Sequence, residues 1–146
     1  MVADGHDVAV SDLPSMRTEL EATAADVEAA GVRSHALTGD VSQHGDVQAL
    51  VRETASALGS LDVMVANAGI AQTKALLDVA PEDYDRVHAI NGRGVFLCYT
   101  EAARQMIAQG GGGKIIGAAS IAAPRAASQP SGGTSVTWSM PVPEAE

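Results

Sequence analysis

"LDVMVANAG", residues 61 to 69, decides the fold. Val63, Met64 and Val65 run without polar alternation, which is the pattern of a strand buried on both faces, and such strands belong to parallel sheets. Asn67, Ala68 and Gly69 close the run with a small residue and a glycine, so the backbone after the strand admits a flat ligand at close range. An ordinary strand-to-loop turn has the same composition.

Working outward, the same unit repeats. "HDVAVSD" gives a short strand around Asp7 to Ser11, after which Met16, Leu20, Ala24 and Val27 fall at helical spacing and Gly31 suits a helix stop. A second strand is expected near Arg33 to Leu37, followed by a helix capped by Ser42, faced by Val47, Leu50, Val51, Thr54 and Leu58, and ended by Gly59. After "LDVMVANAG" the segment from Pro81 to Gln109 reads as one long helix with proline in its first turn, and "KIIGAAS" as a fourth strand. Short apolar strands alternating with helices predict an α/β fold built of βαβ units in a doubly wound parallel sheet.

Composition narrows the function. The chain has 146 residues, 46% apolar and 18% charged, with a formal charge of -9. That charge disfavours nucleic acid and anionic membrane surfaces, both of which call for clustered Lys and Arg. Cys98 is the single cysteine, no apolar run is of membrane-spanning length, and Asp4 and Asp7 interrupt any signal-like start, so a cytoplasmic protein is expected. From Pro124 onward no period persists, and residues 123 to 146 are expected to be a disordered tail rich in Pro, Ser and Gly, beside a domain spanning 1 to 122.

In an open α/β sheet ligands bind beyond the carboxyl ends of the strands. Asp12 ends the first strand, where a carboxylate accepts hydrogen bonds from both hydroxyls of a ribose; it also suits a helix start before Pro14 and Ser15. Asp40 follows the second strand, as a neighbour of adenine or as turn chemistry. Ser120 follows the fourth, placed either to meet a reacting oxygen or to cap a turn. "QGGGGK" is a turn and not a phosphate cradle, because its order is helix, glycines, strand. His6, His35, His44 and His88 lack ligand spacing, so no metal is expected, and Cys98 reads as a core residue.

The joint order of these motifs is specific. An acid after one strand, "GDVS" after the next, "ANAG" after the third, "INGRGVFL" in the helix and "GKIIGAASIA" on the fourth strand resemble the classical short-chain dehydrogenase/reductases from about Val2 to Ala122. The likeness is greatest to the acetoin or diacetyl reductase and butanediol dehydrogenase group. It implies a Rossmann fold and hydride transfer between NAD and a small hydroxyketone, diol or polyol, with other substrates such as 3-oxoacyl thioesters or sugars as the alternative. By motif, Asn91 matches the catalytic asparagine that holds a proton-relay water, and Ser120 the serine that binds the substrate oxygen. Asp40 and Val41 match the adenine contact, and Asn67, Ala68 and Gly69 the segment beside the cofactor. Asp12 matches the acid of NAD-preferring members, with no Arg or Lys following it to welcome a 2′-phosphate. The family also implies a homo-oligomer formed through the long helix.

Departures from the family are expected to matter. Its Tyr-x-x-x-Lys has no counterpart here: Tyr84 is followed at that spacing by His88 and Tyr99 by Ala103. The family's first strand, central in the order 3-2-1-4-5, its glycine-rich loop and its later strands are likewise unmatched, which makes the expected sheet incomplete with unpaired backbone groups at its centre. The expected consequence is negligible turnover, and the competing reading is a non-enzymatic truncated or frameshifted remnant. Gly92 inside the long helix is a further oddity, costing about 1 kcal/mol against Ala.

Overall fold

The computed structural model describes residues 1–118 and the strand Val136–Met140. Its elements in chain order are β1 (Val8–Asp12), α1 (Arg17–Ala29), β2 (Ser34–Thr38), α2 (His44–Leu58), β3 (Val63–Ala66), α3 (Pro81–His88), a π-helical segment (Ala89–Gly94), α4 (Val95–Gln109), β4 (Gly113–Gly117) and β5 (Val136–Met140). β1 pairs parallel with β2, and β3 parallel with β4. β5, which the sequence pattern did not anticipate, lies antiparallel to β4. The remainder of the expected tail, residues 123–135 and 141–146, is outside the described residues.

The strands form two sheets, β1-β2 and β3-β4-β5, with no ladder between β1 and β3. The α/β alternation read from the sequence is therefore present, and the sheet is interrupted where the family resemblance placed its gap.

The aliphatic core lies where α2 and α4 pack together over β3 and β4. One cluster joins Val51, Leu61, Ala102, Met106 and Ile115, and a second joins Val47, Ala66, Leu97 and Cys98. Met106 is 1% exposed, and glycine at 113 is what admits it, since a Cβ there would run into Met106 and come within 2.9 Å of the Asp62 carbonyl. On α2 the expected face holds, with Val47 and Val51 buried and Leu50, Thr54 and Leu58 partly so.

Three local expectations change. Ser42 does not cap α2: the helix begins at His44 after Gln43 with no side-chain cap, because the Ser42 N–H is held by Asp40 and its hydroxyl accepts from Gln43 Nε2. Val65 is 42% exposed instead of buried on both faces, because β3 has a neighbour on one edge only. The long helix is not α-helical throughout: the π-helical segment, which contains Gly92, links α3 to α4 with right-handed helical backbone at both of its ends.

Candidate functional site

The carboxyl ends of β1, β2 and β3 open on one cleft of about 940 Å³. Asp12, Asp40, Val41, Asn67, Ala68 and Gly69 all line it, so six of the eight residues singled out from the sequence converge. Ser120 lies outside the described residues. Asn91 stands one layer back, bound to Ile70, which lines the cleft.

Asp12 and Asp40 are brought together by the β1-β2 ladder. Asp12 is in register with Thr38, and its carbonyl accepts from the Gly39 N–H at 3.0 Å, which sets Asp40 one residue beyond. The Asp12 side chain is exposed, with Oδ1 accepting from the Leu13 N–H at 2.7 Å. Its Oδ2 takes no hydrogen bond among the described residues, and a free carboxylate oxygen at a strand end is suited to a diol.

Asp40 shows the turn chemistry that competed with its ligand reading. Its Oδ1 accepts from the Ser42 N–H at 2.8 Å and its carbonyl from the Gln43 N–H at 2.8 Å, while its own N–H is held by Asp46 Oδ2 at 2.9 Å. These bonds fix the backbone that carries Val41 into the cleft. Val41 in turn meets Gly94 so closely that a Cβ at 94 would sit 3.0 Å from Val41 Cγ2 and 3.2 Å from the Val41 carbonyl.

After β3, the exposed backbone of Asn67 to Gly69 leads to Ile70, whose peptide groups are both engaged by the Asn91 carboxamide. Asn91 Oδ1 accepts from the Ile70 N–H at 2.9 Å and Nδ2 donates to the Ile70 carbonyl at 2.8 Å. The π-helical segment thus serves as an anchor for the loop that follows β3.

Sequence reading passed over four residues of this site. Ile70, Asp46 and Gly94 act through backbone or packing contacts that no local motif announces. Arg17 is the fourth: its Nη2 donates at 3.3 Å to Oγ1 of Thr38, the residue in register with Asp12. Arg17, the first residue of α1, thus reaches the end of β2 and also pairs with Glu21, its Nη1 3.6 Å from Oε1.

Cys98 is buried, and burial pushes its thiol pKa up, which suits the core role expected of it. Tyr84 stacks on His88 with ring centroids 3.8 Å apart. Among the described residues no group of His, Cys, Asp and Glu has the arrangement of a metal site, and no helix is long and apolar enough to cross a membrane.

Comparison with known proteins matches this geometry to a family. Residues 1–132 match the model described as short chain dehydrogenase. A short-chain dehydrogenase/reductase of Armillaria gallica is 44% identical over 120 residues, covering 82% of this chain and 46% of that protein. The L-2,3-butanediol dehydrogenase of Corynebacterium glutamicum is 41% identical over 123 residues, covering 84% of this chain and 49% of that protein. The crystal structure of a short chain dehydrogenase from Burkholderia cenocepacia in complex with NADP superposes with a TM-score of 0.67 at 35% identity, over 71% of this chain and 42% of the other. The chain spans about half the length of the curated relatives it matches. An interrupted doubly wound sheet, a cleft at its strand ends and a family match over nine-tenths of the sequence agree: the chain belongs to the short-chain dehydrogenase family.

Proposed function

We propose that the chain serves an NAD-dependent oxidoreductase that moves hydride to or from a small hydroxyketone, diol or polyol. The observation that carries this reading is the convergence of Asp12, Asp40 and Asn67, from the ends of three successive strands, on one cleft. The residues fit a dinucleotide. Asp12 presents an unengaged carboxylate oxygen to the ribose hydroxyls, Asp40 and Val41 form a fixed backbone edge for adenine, and Ala68 and Gly69 leave backbone exposed for a flat ring. When bound, the nicotinamide supplies or accepts the hydride.

Asn91 is the proposed holder of the relay water and Ser120 of the substrate oxygen. Asp12 repels a 2′-phosphate and favours NAD, while Arg17 nearby moderates that preference. With no Tyr-x-x-x-Lys in the sequence, a polypeptide of residues 1–146 is proposed to bind nucleotide without appreciable turnover, since acid-base assistance is worth roughly 10²- to 10⁴-fold. The substrate preference draws on the butanediol dehydrogenase likeness. A cytoplasmic location and self-association through α4, where Phe96 is 62% exposed, complete the reading.

The test is NADH fluorescence titration alongside acetoin reduction. Saturable binding that Asp12→Ala weakens, without turnover, supports the proposal. Binding indifferent to Asp12→Ala and Asp40→Ala removes the site, and steady acetoin reduction removes the claim of inactivity.

A further inference from the structure

α4 ends on a second side-chain amide that repeats, away from the rim, what Asn91 does beside it. Gln109, the last residue of α4, accepts from the Leu61 N–H through Oε1 at 3.1 Å and donates through Nε2 to the Leu61 carbonyl at 2.9 Å. One carboxamide thereby takes both peptide groups of Leu61, as Asn91 takes both of Ile70. Leu61 precedes β3 and Ile70 follows it. From Asn91 to Gln109 a helix rises about 27 Å, and from Leu61 to Ile70 an extended chain spans about 30 Å. The helical run is therefore as long as the strand segment and is fastened to it at both ends.

Between the two fastenings the contacts are apolar. Leu97 and Cys98 pack with Ala66, and Ala102 and Met106 with Leu61. Such burial is non-directional and tolerates sliding of the strand along the helix. Hydrogen bonds to a peptide group admit one position only, so the two carboxamides set how far along α4 the strand sits. The Gln109 pair is the better sheltered, being part-buried where the Asn91 pair is exposed, and Leu61 itself is buried. Gln105 Nε2 holds Gln109 Oε1 at 3.4 Å, and the Asp62 carbonyl accepts from Lys114, which ties the same place to β4. Gln109 does not line the cleft, whereas Leu61 and Asn67 to Ile70 do.

We propose that Gln109 is a positioning residue for the cleft. With Asn91 it fixes the register of β3 against α4, so that the rim at Asn67 to Gly69 is set from the opposite end of the helix. The register stands on hydrogen bonds alone; only its effect on a bound nucleotide rests on the functional reading above.

The test follows amide exchange and NADH fluorescence titration in the full chain for Gln109→Ala, Gln109→Glu and Arg104→Ala. Arg104 is exposed on the same helix and belongs to neither carboxamide pair. Gln109→Ala is expected to speed exchange at Leu61 and also at the distant Ile70 by about threefold or more, and to weaken NADH binding about as much, while Arg104→Ala does neither. Gln109→Glu keeps the acceptor and loses the donor, so its effect falls between. In acid its carboxyl takes a proton and donates to the Leu61 carbonyl again, so exchange at Ile70 returns toward that of the parent chain at the same pH, which a mere loss of packing would not produce. If Gln109→Ala does not fold, Gln109→Glu carries the comparison. Exchange at Ile70 unchanged while Leu61 accelerates overturns the proposal. So does an accelerated Ile70 with NADH affinity equal to that of the parent. A parent chain that binds no NADH, with Ile70 accelerated in Gln109→Ala, supports the register and removes the nucleotide reading instead.

Discussion

Asn91 and Ile70 form a reciprocal pair in which one side-chain amide satisfies both peptide groups of a residue 21 positions away. The pair ties the π-helical segment to the loop after β3, and Gly69 packs beside it, its Cβ direction pointing at Asn91 Oδ1 from 3.5 Å. The position of Asn67 to Gly69 on the cleft thus depends on a helical segment some twenty positions further along the chain. Asn91→Ala removes both bonds and is expected to cost about 1–2 kcal/mol, at the modest end because the site is exposed. Asn91→Asp keeps the acceptor, loses the donor and sets a carboxylate against a carbonyl. Urea unfolding together with exchange at the Ile70 amide checks this: both variants should accelerate that amide, and an unchanged Ile70 would show that the pair does not hold the loop.

Two glycines two residues apart predict opposite signs. A Cβ at Gly92 meets nothing within 4 Å, so Gly92→Ala is expected to stabilise the chain by about 0.5–1 kcal/mol through the reduced entropy of the unfolded state. A Cβ at Gly94 meets Val41 at 3.0 Å, so Gly94→Ala is expected to destabilise by about 1–3 kcal/mol as the turn after β2 is pushed away. Adding Val41→Ala should recover part of the Gly94→Ala loss, since one of the two contacts is with the side chain and the other with the carbonyl. Equal effects of the two single changes would contradict the close approach.

Much of this site was legible because it rides on strand ends. Asp12, Asp40 and Asn67 follow apolar runs, and βαβ topology delivers successive strand ends to one side, so local pattern alone placed them together. Gly94, Ile70 and Asp46 were not legible, because their partners lie in other elements and nothing in their immediate sequence records the contact. Val65 misled for a related reason: its apolar run is that of a central strand, and its exposure reflects a neighbour that the ladder lacks. Ser42 misled because Asp40 starts a turn four residues ahead of the helix, which leaves Ser42 inside that turn with its hydroxyl accepting from Gln43 Nε2.

Cofactor preference should turn on Asp12 and Arg17. Asp12→Ala is expected to weaken NADH binding about tenfold, equivalent to ~1.4 kcal/mol. The same change removes the carboxylate that repels a 2′-phosphate and leaves Arg17 within reach of the end of β2, so NADPH binding should strengthen. Arg17→Ala is expected to leave NADH unaffected and to abolish that gain. Parallel fluorescence titrations of the three variants with both nucleotides decide the matter, and an NADPH gain that persists without Arg17 would assign the cation elsewhere.

Acid should act through Asp7 and Arg33. The Arg33 guanidinium donates to Asp7 Oδ2 at 2.9 and 2.6 Å and the Arg33 N–H to Oδ1 at 2.7 Å, while Nη2 also reaches the Leu58 carbonyl, so the pair ties the start of β1 to the segment before β2 and to the end of α2. The hydrogen bonds from the Arg33 side chain, then that from its backbone, hold the Asp7 carboxyl below its ordinary value of 3.8. A carboxyl depressed in the folded state binds fewer protons there than when unfolded. Its contribution is therefore complete above pH 3.8 and is lost as the pH falls through the lower folded value. Arg33→Ala should return Asp7 toward its ordinary titration and flatten the part of the stability profile below pH 3.8 that belongs to this pair. The side chains are exposed to solvent, so the same flattening is expected in high salt. Carbon-detected titration of the Asp7 carboxyl in both proteins, read beside urea midpoints over the acid range, tests the pair directly, and an Asp7 midpoint unmoved by Arg33→Ala would show that the arginine does not set it.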